Sequence, residues 1–168
     1  TNGLYNMGYG ETLMFWADLS SAQLIDGNFS TANWTSSATT DQKKYLPLAK
    51  ISSAGYVYVY HDGGATISKN HFGINPIDVI DPSSGCIYYN NPSSHRAISV
   101  VQAYNIDKKI DDGFPRTGTV TTIYIDNESI GYSAEGAAIP SSSVCSNGLA
   151  IQQYTMGYNN GSGLNCAL

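Results

Sequence analysis

Four sets of side chains in this sequence are of types that could do chemistry. They are a run of acids, scattered histidine–acid pairs, three cysteines and a row of tyrosines. The acids stand in AYNIDKKIDDGFPRTGTV, residues 103–120. Asp107 and Asp111 are like charges four residues apart on a helix. Asp111 and Asp112 sit at the negative end of its dipole, where a carboxylate is disfavoured by roughly 0.3–1 kcal/mol. Something must compensate. The preferred reading is a loop lock at Asp107, Asp111, Asp112, Gly113 and Arg116. In it Asp111 or Asp112 accepts hydrogen bonds from loop backbone or pairs with Arg116. The alternatives are a cation bound by Asp107 or Asp111, and a plain solvated acidic end.

The histidines point less clearly. His61 with Asp62, His71, Asp78 and Asp81 match no ligand spacing for a metal, so turn and surface roles are expected. The nearest run to a nucleophile elbow, GYSAEG, has Glu135 where glycine must stand. No P-loop, G-x-G-x-x-G or H-E-x-x-H is present. No catalytic residue, metal or cofactor is therefore expected, and the chain is read as a non-enzyme.

Cys86, Cys145 and Cys166 allow three pairings in an oxidising compartment. Cys145 with Cys166 is favoured, because it closes a loop of about 20 residues, worth about 3 kcal/mol in the chain-entropy model, and staples a terminus that otherwise frays. Cys86 reads as a buried thiol, and three reduced cysteines remain the alternative. In YVYVYH, residues 56–61, tyrosine and valine alternate with period two. Tyr56, Tyr58 and Tyr60 share one face and Val57 and Val59 the other. The tyrosines either pack across strands or present a surface contact for a sugar or a neighbouring subunit.

These residues need elements to position them. A first helix is expected over 11–25, with Leu13, Trp16, Ala17 and Leu24 near one face and a stop at Asp26-Gly27. A second helix is expected from an N-cap at Ser93 or Ser94, with an apolar face of Ala97, Val100, Val101, Ala103, Tyr104 and Ile110. Gly113 and Pro115 end it. Extended segments are expected at 45–51, 55–61, 71–80 (broken at Pro76), 87–89, 119–126 and 149–158, with 119–126 at the sheet centre. The stretches 28–41 and 127–143 and the tail 159–168 read as loops. Together this is an α+β fold: two short helices on one face of an antiparallel sheet of about four or five strands, in one domain over 1–168.

Composition narrows the partners. The net charge is −5 with only 12% charged residues, which argues against nucleic acid, since phosphate binding needs clustered Lys and Arg. Tyr, Ser, Thr, Asn and Gly dominate a polar, uncharged surface of the kind exported proteins carry. No apolar run approaches the roughly 18–20 residues of a membrane span.

Three segments resemble the bacterial type IV pilin-like and type II secretion pseudopilin-like family. The D-x-K-x-D-D-G-x-P-x-x-G pattern of residues 107–118 is similar to a helix end that precedes the last part of the sheet in that family. GETLMFWADLSSAQLIDGNF, residues 10–29, resembles the family's short acidic–aromatic helix, and LPLAKI, residues 46–51, the segment that follows it. The resemblance implies a pilin-like head domain and a structural role. The chain would be a subunit of a type IV pilus or a pseudopilus, assembling with copies of itself and other pilin-like subunits, on the surface or in the periplasm. It also points to the Cys145–Cys166 pairing, since a disulfide often closes a C-terminal loop in that family. The family begins with a long hydrophobic helix bearing a Glu near its start. Nothing like it stands here, so the inner-membrane link is expected in a removed segment or a separate chain. The loops 28–41, 127–143 and 145–166 are the expected contact regions, with a surface or host ligand possible. The alternative function is a secreted carbohydrate- or surface-binding module using the tyrosine-rich face of Tyr56, Tyr58 and Tyr60, or the C-terminal Tyr154 and Tyr158.

Overall fold

The computed structural model describes residues 10–29, 41–51, 55–61, 70–77, 79–80, 87–88, 98–124, 145–147, 151–157, 159–163 and 166–168. Among the described residues, helix and strand are mixed, with two α-helices and antiparallel strand pairs. Helix α1 spans Glu11–Ser21 and helix α2 Val100–Ile110. The strands are β1 Gly55–His61, β2 Asn70–Pro76, β3 Val79–Ile80, β4 Ile87–Tyr88, β5 Ile123–Tyr124 and β6 Cys166–Ala167.

Helix α1 buries Leu13, Trp16 and Ala17, three positions on one helical face. It ends four residues before the expected stop. Gln23 takes a left-handed φ of 57°. Its amide bonds the Ser20 carbonyl and the Leu24 amide bonds the Leu19 carbonyl. That is a Schellman stop with glutamine in the place glycine usually fills. Leu24 is thereby turned out and is 71% exposed, so it does not join the core face.

Helix α2 starts at Ser99, not at Ser93 or Ser94, which lie with Ala97 outside the described residues. The Ser99 hydroxyl accepts from the Gln102 amide, and the Gln102 side chain accepts from the Ser99 amide at 2.9 Å. This reciprocal capping box satisfies two donors of the first turn. The buried stripe of α2 is Val100, Ala103 and Asp107. Ile110, expected on the apolar face, is 65% exposed. The stripe thus ends on a carboxylate.

Strands β1 and β2 form an antiparallel ladder with Tyr56 opposite Asn75, Tyr58 opposite Gly73 and Tyr60 opposite His71. The segment before β1 runs along it, where Leu48 bridges Tyr56 and the Val57 amide bonds the Pro47 carbonyl. β3 pairs β4 and β5 pairs β6, each over two residues. β6 links the pieces. Cys166 exchanges backbone hydrogen bonds with Ile98, and Leu168 exchanges them with Ile74 of β2. Among the described residues the strands therefore make three two-stranded pairs, tied by single bridges, where one sheet of four or five strands was expected.

Two further expectations change. Residues 119–122 are loop, and the strand there is only Ile123–Tyr124 among the described residues. Residues 151–157 form a bridge and a turn, while the tail expected to be loop supplies β6. The alternation expected over 149–158 breaks down within it, since adjacent Gln152 and Gln153 put an amide on each face and leave neither consistently apolar to pin a strand; residues 149, 150 and 158 lie outside the described residues.

Among the described residues the core falls into two clusters. One joins α1 to β1 through Leu13, Trp16, Leu46, Tyr56, Tyr58 and Ile80. The other gathers Ile98, Val100, Ala103, Cys145, Tyr154 and Cys166 around α2. The surface-contact reading of the tyrosines is corrected here. Tyr56 is 8% exposed and Tyr58 has no exposed surface, and both lie in the core cluster with Leu13 and Trp16 of α1. Tyr60 alone stays half-buried, with its ring stacked on His71 at 4.9 Å. The phenol of Tyr58 lies over Gly73, where a β-carbon would overlap the ring. Burial, then the neighbouring Tyr60, raise the Tyr58 pKa, while the Asn75 amide pulls it back. Even so, the Tyr58 hydroxyl and both Asn75 amide atoms reach no hydrogen-bond partner among the described residues.

Gly73→Ala is expected to destabilise the fold by roughly 1–3 kcal/mol, as overpacking does where a ring cannot move. Urea unfolding measures it. A variant as stable as the wild type would show that the Tyr58 ring does not rest on Gly73.

Candidate functional site

The candidate site is the acid-tipped end of α2 with the loop that follows it. Position 107 lies seven residues after Val100, so its side chain returns to the buried stripe. Its carboxylate has no exposed surface. One oxygen, Oδ1, accepts from the Gly113 amide at 2.9 Å, and Oδ2 accepts from the Tyr154 hydroxyl at 2.7 Å. Asp111 is the C-cap of the helix. Its Oδ2 accepts from the amides of Thr119 and of Val120, the latter at 2.7 Å. Asp112 accepts from the Phe114 amide at 2.9 Å and from the Thr117 hydroxyl at 2.6 Å. The loop then closes through Thr122, whose amide bonds the Pro115 carbonyl at 2.9 Å.

Two glycines permit this path. Gly113 has φ +78° and Gly118 φ +75°, and a β-carbon on Gly118 would run into the Asp111 carboxylate. The acids that looked misplaced at a helix C-terminus are thus spent on amides and hydroxyls of the next ten residues. Asp107, Asp111, Asp112 and Gly113 are brought together. Arg116 is half-buried in the same loop. Of the two kinds of partner expected for the carboxylates, the loop backbone supplies the hydrogen bonds seen at Asp111.

The cation reading has a geometric basis too. Asp107, Asp111 and Asp112 each place an oxygen within 4.8 Å of the others. Their oxygens already accept from five donors of the loop and from Tyr154. A lock at the end of α2 accounts for all of these contacts. Of the other metal candidates, His71 stacks on Tyr60, while Asp62, Asp78 and Asp81 lie outside the described residues.

Charge follows this geometry. Desolvation pushes the Asp107 carboxyl above its ordinary pKa. The Tyr154 hydroxyl and Gly113 amide pull it down, and Asp112 and Asp111 push it up. The amide of Val120 leads in holding Asp111 below the usual range; desolvation opposes it and Thr119 supports it. Burial, then the hydrogen bond to Asp107, raise the Tyr154 pKa, so this phenol acts as a donor and not as a base.

The two acids affect stability with opposite sign. A lowered folded pKa means that Asp111 contributes stability above its unfolded value of about 3.9, lost as pH falls through the folded value. A raised folded pKa means that the native state gains on the unfolded one as pH falls through the Asp107 value. Asp111→Asn is therefore expected to flatten the acid limb of the stability curve. Urea midpoints measured from neutral pH down through the carboxylate range test it, and superimposable limbs would remove Asp111 from the lock.

Tyr154 is delivered by the C-terminal segment. Ser146 bridges Tyr154, and the Thr155 amide bonds the Cys145 carbonyl at 3.1 Å. Cys145 and Cys166 form a disulfide across 21 residues of sequence, which fastens this hairpin to β6 and so to Ile98 at the start of α2. Cys86 lies outside the described residues, as do the contact loops over 30–40 and 127–143. Gly118 and Ser99 are not among the site residues expected from the sequence, and Tyr154 is expected only as a carbohydrate contact, not as a partner of Asp107. Gly118 had a signal, since it closes the G-x-P-x-x-G string. Tyr154 had none, standing 47 residues from its acid.

No family model, no curated protein and no solved structure matches this chain. Among the described residues, no helix is long and apolar enough to cross a membrane.

Proposed function

We propose that this chain is a pilin-like head domain, a structural subunit of a type IV pilus or of a type II secretion pseudopilus. The observation that carries the reading is the doubly fastened end of α2. Three carboxylates tie the helix stop to its loop, and a disulfide-held hairpin closes over it through Tyr154. A shell subunit has to keep its shape while packed beside copies of itself, and such cross-linking of helix, loop and terminus supplies rigidity without any reacting group. The resemblance of residues 107–118 to the family's helix end agrees with this use of the acids. On this reading the partners are copies of the chain and other pilin-like subunits. The inner-membrane anchor is a helix not contained in these 168 residues, and the assembled protein stands outside the inner membrane, in the oxidising space that a disulfide needs. The carbohydrate-module alternative loses Tyr56 and Tyr58 of its tyrosine row to the core.

Two measurements test the proposal. The coding sequence upstream should encode an apolar segment of about 20 residues with a Glu near its start, in frame or in an adjacent short gene. The chain should also be found in filaments sheared from cells that express it. Absence of both the apolar segment and the filament-bound chain would end the reading.

A further inference from the structure

We propose that the groove between α1 and the β1–β2 ladder is an assembly contact that takes the lysine-bearing segment 43–51 of a second copy of this chain. This deepens, and rests on, the self-assembly reading above. The groove has a volume of about 480 Å³, with Phe15, Leu19 and Val59 as its apolar walls, Tyr60 at one side and Glu11 and Asp18 at its rim. Glu11, Phe15 and Asp18 follow at steps of four and three, so one face of α1 presents an aromatic ring between two carboxylates. Both acids are exposed. Glu11 suits the first turn of a helix. Asp18 does not suit the last turn, which carries no basic residue, and the helix dipole disfavours an acid there. Nothing within α1 accounts for it, whereas a cation arriving from outside would.

The chain carries a matching surface. Lys43, Lys44 and Lys50 are exposed and supply three of its eight Lys and Arg residues. Between and beside them, Leu48 is 46% and Ile51 43% exposed. Buried Leu46 and Ala49 anchor the segment, and the Leu48–Tyr56 bridge holds its backbone to β1. It is therefore a preformed strip that turns Lys43, Leu48, Lys50 and Ile51 outward, with Lys44 paired to Asp41 at 3.3 Å. A lysine stem can lie on Phe15 and Leu19 while its ammonium reaches Asp18, and Leu48 and Ile51 fit the apolar walls. Groove and strip share no residue. The contact is heterologous, the kind that repeats into an open helix unless its rotation closes a ring.

Charge exchange tests this with two single variants at exposed positions, Asp18→Lys and Lys50→Glu. Asp18→Lys places a cation at the helix C-terminus, so the variant should fold at least as well as the wild type. In sedimentation at low salt, the 168-residue chain is expected to self-associate and to dissociate as salt rises. Each variant alone should lose about tenfold or more in association constant, and an equimolar mixture of the two should regain it. A wild type that stays monomeric, variants that associate like the wild type, or a mixture that restores nothing would each overturn the proposal. The two readings fail separately. A monomeric chain still found in sheared filaments sinks the groove contact alone, whereas groove-mediated association with no filaments sinks the filament role alone.

Discussion

Asp107→Ala is expected to lower stability by roughly 2–5 kcal/mol, because two buried donors each lose their acceptor, at about 1–3 kcal/mol apiece. Those donors are the Gly113 amide and the Tyr154 hydroxyl. The carboxylate is itself strained by burial, and its removal recovers part of the loss. The larger consequence is local. With Asp107 gone, Gly113 and Tyr154 have no common acceptor, and the end of α2 separates from the C-terminal hairpin. Hydrogen exchange should therefore quicken at Gly113, Thr119 and Val120 before it changes in β1 or β2. Asp107→Asn keeps one carbonyl acceptor and should fall between the wild type and the alanine variant. Tyr154→Phe, paired with Asp107→Ala in a double-mutant cycle, isolates the coupling between the two side chains. Additive losses would mean that the 2.7 Å hydrogen bond does not join helix to hairpin.

Removing the disulfide, by reduction or as Cys145→Ala with Cys166→Ala, is expected to cost about 3 kcal/mol for a loop of this length, within a range of roughly 2–5 kcal/mol for native bridges. Both cysteines are fully buried in the cluster that holds Ile98, Val100, Ala103 and Tyr154. Alanine at both positions also leaves some unfilled space. The effect should reach beyond the terminus. Cys145 leads the hairpin that carries Tyr154, and Cys166 pairs with Ile98 beside the α2 N-cap. Reduced protein should show faster exchange across 151–157 and a weaker hold of Tyr154 on Asp107. Urea unfolding in the presence and absence of reductant reads the first effect, and exchange reads the second. Equal stability with and without reductant would show that the bridge constrains nothing that matters to the fold. The disulfide and the Asp107–Tyr154 bond act on the same hairpin, so their losses should be less than additive.

Local physics was legible in the residues. The two helices, the YVYVYH strand and the glycine–proline stop after α2 follow from periodicity, capping chemistry and backbone restriction over a few positions. So did the need for some partner at Asp111 and Asp112, because a carboxylate at a helix C-terminus carries its own penalty wherever the helix lies. Boundaries were less legible. Gln23 in a left-handed conformation ended α1 early, and the Ser99 capping box began α2 later than Ser93 or Ser94. Both are choices between several locally acceptable caps, made by what the chain meets next.

That β1 would bury Val59 on one face and Tyr56 and Tyr58 on the other was not written in its alternation, since tyrosine and valine are both at home on a pleated, half-buried surface. Tyr56 and Tyr58 enter the core only in the packed cluster they share with Leu13, Trp16, Leu46 and Ile80. In the same way, the sequence by itself determined that the end of α2 is acidic and must find donors. Tertiary structure alone decided that one of those donors would be Tyr154, carried there on a disulfide-held hairpin. Helical spacing and dipole sign act over a few residues and can be read from a string, whereas a partner 47 positions away exists only once the chain has packed.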